Sequence, residues 1–283
     1  MKRQSPEAAA APSVRAVAAG MAETPTMDCR LCGGPAKRVF TQTILQAYEA
    51  GYYRCDVCSS LQTEEPHWLD EAYGKNLSCL DTGAAQRTLT NLAICFVLSR
   101  LFKLTNVIDF GGGDGLLCRL LRDYGLNCFV TDRYATPTYA QGFTEPDFHQ
   151  PDLVIASEVV EHFPHPGRDL DDLFKLKPRL LFVSTGVYTD EQSDWWYLAP
   201  ESGQHVFFYS RKALDLVADK YGYRLLANGD FILFVQPDLL SPLRSVLARL
   251  VLRRKIIRLL RSLVVFLPAT HAWKDHLLQR RES

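Results

Sequence analysis

An apolar strand that runs straight into a glycine-rich loop and then a helix is compatible with few folds. Thr105-Asn-Val-Ile-Asp-Phe-Gly-Gly-Gly-Asp-Gly115, continued by Leu116-Leu-Cys-Arg-Leu-Leu-Arg-Asp-Tyr124, is such a run. Without a Cβ, glycine lets the loop backbone adopt φ > 0 and come close to a ligand. The free N–H groups opening the helix point at the same place. The arrangement implies a nucleotide-containing ligand at the carboxyl end of a strand in an α/β sheet. A dinucleotide fingerprint Gly-x-Gly-x-x-Gly fits poorly, because its last position, counted from Gly111, falls on Leu116. Read instead as acidic-x-Gly-x-Gly-x-Gly, the run puts Asp109 at the strand end and glycines at 111, 113 and 115.

That pattern resembles motif I of the class I S-adenosylmethionine-dependent methyltransferases. The resemblance implies a Rossmann-like seven-stranded sheet with S-adenosyl-L-methionine held by Asp109, Gly111, Gly113 and Gly115. Asn127-Cys-Phe-Val-Thr-Asp132 reads as a second strand ending in a carboxylate, about 20 residues past the glycines, where both ribose hydroxyls can be bound. By resemblance Asp132 takes the ribose and Asp109 sits near the methionine ammonium. The other reading of Asp132 is a turn residue in Thr-Asp-Arg-Tyr.

Pro151-Asp-Leu-Val-Ile-Ala-Ser157 is a continuous apolar run of the kind buried on both faces of a parallel sheet. Glu158-Val-Val-Glu161-His162-Phe-Pro-His-Pro166 follows at its carboxyl end, where ligands bind in open α/β sheets. It is similar to the Glu-x-x-Glu-His segment of a methyltransferase subfamily that includes quinone and sugar enzymes. There Glu158 would bind cofactor and His162 would flank the substrate pocket. A Glu–His pair can also ligate a metal, but no third ligand is evident in sequence. Helix 168–176, strand 178–184, helix 210–221 with Ser210 as N-cap, and a hairpin at Asn228-Gly229 continue the alternation. A terminal hairpin suits the antiparallel last strand of these methyltransferases, and the resemblance spans about residues 76–237.

Acceptor signals concentrate in Asp194-Trp-Trp-Tyr-Leu-Ala-Pro-Glu-Ser-Gly-Gln-His-Val-Phe-Phe-Tyr-Ser210. Aromatic rings stack on sugars or flat rings while their polar edges orient hydroxyls. The segment resembles one in zinc-containing sugar C-methyltransferases, with Gln204 where that family has Glu. The resemblance implies a sugar acceptor, nucleotide-linked or in a glycan, and the missing carboxylate favours O- over C-methylation. His205, with an ordinary pKa near 6.5, is the first choice of catalytic base and His162 the second. The alternative for His205 is a cap on the helix beginning at 210.

Cys29-Arg-Leu-Cys32 and Cys55-Asp-Val-Cys58 are two Cys-x-x-Cys knuckles that can close a tetrahedral Zn2+ site of the ribbon type. Four thiolates leave no open position, so the metal is expected to be structural. The remaining cysteines, 79, 95, 118 and 128, read as buried small hydrophobes. Between ribbon and loop, apolar spacing over 81–103 gives a helix, and Tyr73-Gly74 ahead of it can line the site.

The implied organisation is a disordered N-terminus (1–26), a zinc ribbon (27–75), a methyltransferase domain (76–240) and a basic amphipathic helical tail (241–283). The formal net charge is zero, yet residues 240–283 carry ten Lys/Arg against two Asp/Glu, leaving 22 against 30 elsewhere. An acidic body argues against a nucleic-acid footprint. The tail from Arg244 to Leu267 has an apolar stripe through Leu247, Leu250, Val251, Ile257, Leu260, Val264 and Leu267. Such a helix either makes peripheral contact with anionic lipid or docks on the body. No secretory or membrane-spanning run is evident, which suggests a cytoplasmic enzyme acting on a small molecule. The rival readings are an RNA methyltransferase and a non-catalytic protein that keeps the fold.

Overall fold

The structure, a computed structural model, describes residues 25–74 and 81–282. The expectations for residues 1–24 and for Cys79 lie outside them. Along the chain come β1 (Thr26–Asp28), β2 (Pro35–Ile44), β3 (Tyr48–Cys55), β4 (Leu61–Thr63), α1 (Leu69–Gly74) and α2 (Ala84–Phe102). Next are β5 (Asn106–Phe110), α3 (Leu116–Asp123), β6 (Asn127–Thr131), β7 (Leu153–Ser157), α4 (Pro166–Lys175) and β8 (Leu180–Ser184). The chain ends with β9 (Phe207–Phe208), α5 (Arg211–Tyr221), β10 (Arg224–Asn228), β11 (Phe231–Val235), α6 (Pro242–Val251), α7 (Arg254–Val264) and α8 (Ala272–Glu282).

The main sheet has the order β10-β11-β8-β7-β5-β6. Strands β6, β5, β7 and β8 run parallel, and β11 lies antiparallel between β8 and β10. Among the described residues this sheet has six strands where seven were expected. The stretch after β6 that would supply an outer strand contains Pro137, Pro146 and Pro151, each without a backbone donor. Side chains along β7 alternate between two buried faces. Leu153 and Ile155 join the core under α2, α3, α6 and α7, while Val154 and Ala156 join the core under α4 and α5. The apolar run therefore shows no polar alternation. Ser210 caps α5 by accepting from the Ala213 N–H at 3.0 Å, as its position before an apolar helix predicts.

The cysteine-bearing unit does not close on itself. Its sheet has the order β1-β2-β3-β4-β9, so Phe207 and Phe208 complete it from the far side of the methyltransferase unit. Arg30 reinforces the junction, donating from Nη2 to the carbonyls of Val206 at 2.7 Å and Thr63 at 3.1 Å.

The tail is two helices, α6 and α7, followed by α8, where one amphipathic helix was expected. The chain breaks at Leu252–Arg253, so that Val251 and Leu252 are buried ahead of the break and Ile257 and Val264 beyond it, in one core with α2. Docking on the body is thus what the stripe does. Leu247 and Leu267, expected in it, stay exposed, while Ala248 is fully buried. Asp275 ties α8 down between Arg119 and Arg122, at 2.5 and 2.8 Å. Among the described residues no helix is long and apolar enough to cross a membrane.

Candidate active site

Three cavities meet at the carboxyl ends of β5, β7 and β8. One, of about 500 Å3, lies between α2 and the glycine loop and is lined by Asp109, Gly111, Gly112, Gly113 and Asp114. A second, of about 540 Å3, runs past Gly111 to Asp132, Tyr134 and His162. The third, of about 400 Å3, is walled by Arg87, Trp195, Trp196, Tyr197 and, from α7, Arg254 and Arg261. Glu158 borders all three.

The glycine loop shapes the first cavity by its backbone. Gly113 has φ +55° and nothing near the place a Cβ would occupy, so its open side faces ligand space. Gly112 passes directly over Asp109, where a Cβ would meet Oδ2 at 2.6 Å. Gly115 differs from expectation: its φ of +77° starts α3, but it packs against Ala140 and Pro137 and does not border the cavity. Its role is to let the loop turn and pack.

Asp109 is buried, and its Oδ2 has no hydrogen-bond partner. Burial pushes its carboxyl up to about 7, with the charge of Asp132 adding to the rise. An orphaned buried carboxylate oxygen beside a cavity suits a cationic group. Asp132 is a turn residue that also faces a cavity. Its Oδ1 accepts from the N–H groups of Tyr134 and Ala135 at 2.7 and 2.8 Å, and its Oδ2 from Gly113 N–H at 2.9 Å, while the residue lines the second cavity. Tyr73 lines the same cavity, stacks on Tyr134 with ring centroids 4.2 Å apart, and meets His162 Nδ1 through its hydroxyl at 3.0 Å.

Glu158 sits at φ +53°, a left-handed conformation that is costly for a side chain with a Cβ and that concentrates at functional sites. A relay holds its carboxylate. Asn91 of α2 donates to Ser157 Oγ at 2.5 Å, Ser157 and Ser184 share a bond of 2.9 Å, and Ser184 donates to Glu158 Oε1 at 3.2 Å. Tyr197 Oη lies 3.1 Å from Glu158 Oε2 and 2.7 Å from Glu161 Oε1. Burial, then the charge of Glu161, pushes the Glu158 carboxyl up to about 7, and burial brings Glu161 to about 7 as well.

His205 is not the helix cap. Its Nδ1 lies 2.7 Å from the Tyr197 carbonyl, to which it donates, leaving Nε2 free. Its ring is 5.0 Å from that of His162 and 4.7 Å from that of Tyr197, and it borders none of the three cavities. Burial lowers its pKa and brings that of His162 down to about 3, so both rings are neutral at pH 7. Gln204 points elsewhere and donates to the Ala72 carbonyl at 3.0 Å. A third potential donor beside the Glu161–His162 pair, which the sequence did not reveal, is His205: one such atom each from Glu161, His162 and His205 lie within 4.8 Å of one another.

A family model described as a methyltransferase domain matches residues 72–228, more than half of the chain. The chain belongs to this methyltransferase family. Its chemistry is S-adenosylmethionine-dependent methyl transfer, and the match takes in the glycine loop, Glu158 and the aromatic segment up to β10. Magnesium protoporphyrin IX methyltransferase from Synechocystis with bound SAH is similar at 16% identity, over 59% of this chain and 92% of that one, with a TM-score of 0.43. An O-methyltransferase family protein from Burkholderia thailandensis is similar at 15% identity, over 59% and 62%, with a TM-score of 0.41. No curated protein matches the chain.

The methyltransferase carries a second cysteine-built centre away from these cavities. Cys29 and Cys58 place their Sγ atoms 3.6 Å apart, as do Cys32 and Cys55. A disulfide needs about 2.05 Å, whereas sulfurs bound at 2.3 Å around a tetrahedral zinc stand about 3.8 Å apart. The N–H groups of Val57 and Cys58 donate to Cys55 Sγ at 3.3 and 3.4 Å.

Proposed function

We propose that this enzyme methylates a hydroxyl of a small polyhydroxylated acceptor, a nucleotide-linked or glycan sugar, held in the cavity between α2 and the 191–197 loop. The observation that carries the reading is Glu158, a strained, relay-held carboxylate at the one place common to all three cavities. The methionine ammonium of the cofactor pairs with the orphaned oxygen of Asp109, and the ribose meets Asp132. When bound, the sulfonium makes the methyl group electrophilic. The chain's task is then to align the acceptor oxygen and take its proton. Glu158 takes that proton in this account, because it faces the acceptor cavity and His205 does not. Trp195, Trp196 and Tyr197 provide ring faces for a sugar, while Arg87, Glu191 and Asp230 provide polar edges.

RNA is disfavoured by the state of the ribbon cations. Lys37 pairs with Asp56 at 2.8 Å, Arg54 with Asp190 at 3.1 Å, and Arg30 is spent on carbonyls, so of the cations at 30, 37, 38 and 54 three are already engaged, which leaves little for phosphates. The cysteine cluster holds a structural Zn2+, supported by sulfur spacings close to the edge of a tetrahedral site. A methyl-transfer screen with labelled cofactor over nucleotide sugars, glycans and RNA tests the acceptor class. Label entering a sugar fraction supports it; label entering RNA alone overturns it.

A further inference from the structure

Glu161, His162 and His205 come from two segments 43 residues apart in sequence and converge beneath the acceptor wall. Each has one donor atom tied to an outer partner. Glu161 Oε1 accepts from Tyr197 Oη at 2.7 Å, His162 Nδ1 meets Tyr73 Oη at 3.0 Å, and His205 Nδ1 donates to the Tyr197 carbonyl at 2.7 Å. The other atom of each is left over. Glu161 is completely buried, and its Oε2 has no partner among the described residues. Outer hydrogen bonds that orient a ligand's free atom are the usual surroundings of metal-binding histidines and carboxylates.

The local charge count points the same way. The single proton of the Tyr197 hydroxyl faces both Glu158 Oε2 and Glu161 Oε1 and can satisfy only one of them. Glu161 Oε2 is left without a donor among the described residues, and a buried carboxylate oxygen without a cation or hydrogen bond is costly.

We infer that Glu161, His162 and His205 form a site for a divalent first-row transition metal ion, separate from the cysteine cluster. Two imidazoles and one carboxylate suit such an ion and leave coordination positions open, as in catalytic rather than structural sites. His162 lines the cofactor-side cavity and Tyr197 the acceptor cavity, so those positions adjoin the place where an acceptor oxygen would be aligned. The metal would polarise that oxygen, with Glu158 beside it to receive the proton. This role rests on the functional reading above; the site itself rests on the side-chain geometry.

The full-length protein, treated with a chelator to strip labile metal while the cysteine cluster keeps its own, is titrated with Co2+. One equivalent should bind with visible ligand-field absorption and without the thiolate charge-transfer band of cobalt bound to cysteine. His205→Ala and Glu161→Gln should weaken that binding at least about 100-fold, beyond the 10–100-fold cost of losing an outer partner, and Tyr73→Phe should weaken it by about tenfold. S-adenosylhomocysteine binding at Asp109 serves as the folding control for each variant. The inference is overturned if the wild type takes cobalt only with the thiolate band, or takes none, or if a variant that keeps the control binding titrates like wild type. In all three cases retained S-adenosylhomocysteine binding leaves the methyltransferase reading standing; its loss in the wild type would overturn that reading whatever cobalt does.

Discussion

The two halves of the cleft are built differently. The cofactor half comes almost entirely from one stretch of chain, β5 through the turn after β6, where Asp109, the glycine loop and Asp132 follow one another in sequence. The acceptor half is assembled from α2, the end of β7, the 184–197 segment, the β10–β11 turn and α7. Its Tyr197 is held by carboxylates of the 158–161 segment, and the chain beyond it is anchored to the cysteine unit through β9. A local motif can specify a site for a shared cofactor, whereas a site for a particular acceptor depends on long-range packing.

Damage to the acceptor half should therefore spare the cofactor half. The largest effect is expected from Cys58→Ser, which opens the cysteine cluster and frees β4 from its support of β9. Loss of the proposed metal centre belongs to the mutations that cost more than about 4 kcal/mol. Methyl transfer should disappear while S-adenosylhomocysteine affinity, read by calorimetry, changes no more than about threefold, well under 1 kcal/mol. An equal loss of both would break the comparison. Glu158→Gln comes next, because it removes a proton acceptor and keeps the size of the side chain. Single-turnover rates should fall by about 10²–10⁴ with cofactor affinity nearly unchanged, and full activity would remove Glu158 from its role. Trp196→Ala is the smallest: Trp196 is 80% exposed at the cavity wall, so its loss should raise the acceptor KM about tenfold, or about 1.4 kcal/mol, at constant kcat.

The same contrast governs what the sequence could reveal. Asp109, Gly111, Gly113 and Asp132, expected from the fixed spacing that strand, loop and helix N-terminus impose, all line the cavities. Gly115, expected at the cofactor, lines none of these cavities: a left-handed cap glycine and a ligand-facing glycine look alike until Ala140 and Pro137 are seen packed against it. The proline-rich stretch after β6 removed a strand that the family resemblance had supplied. Glu161 and Tyr197 lay in motifs visible in sequence, but their meeting with each other and with residue 205 did not show, and the arginines of α7 gave little local signal, since only folding brings these segments to the cleft. The basic stripe of the tail was visible, but its break at Leu252 was not, because neither proline nor glycine marks it.

In the proposed binding mode the cofactor's ammonium pairs with the buried carboxylate of Asp109. In the free protein that carboxyl is held up at about 7 by burial, above its ordinary value of 3.8. Stability is therefore lost as pH rises from about 4 to 7, by about 4 kcal/mol in all, and Asp109→Asn should raise the melting temperature at pH 8 but not at pH 4. Binding has the opposite sign, since the ammonium needs the ionised form. Calorimetric titration with S-adenosylhomocysteine between pH 5.5 and 8.5 tests this most directly. One site is expected whose Kd weakens about tenfold per pH unit below 7 in the wild type, with weak, pH-independent binding in Asp109→Asn. Unchanged affinity in the variant, or no binding by the wild type at pH 8, would contradict it.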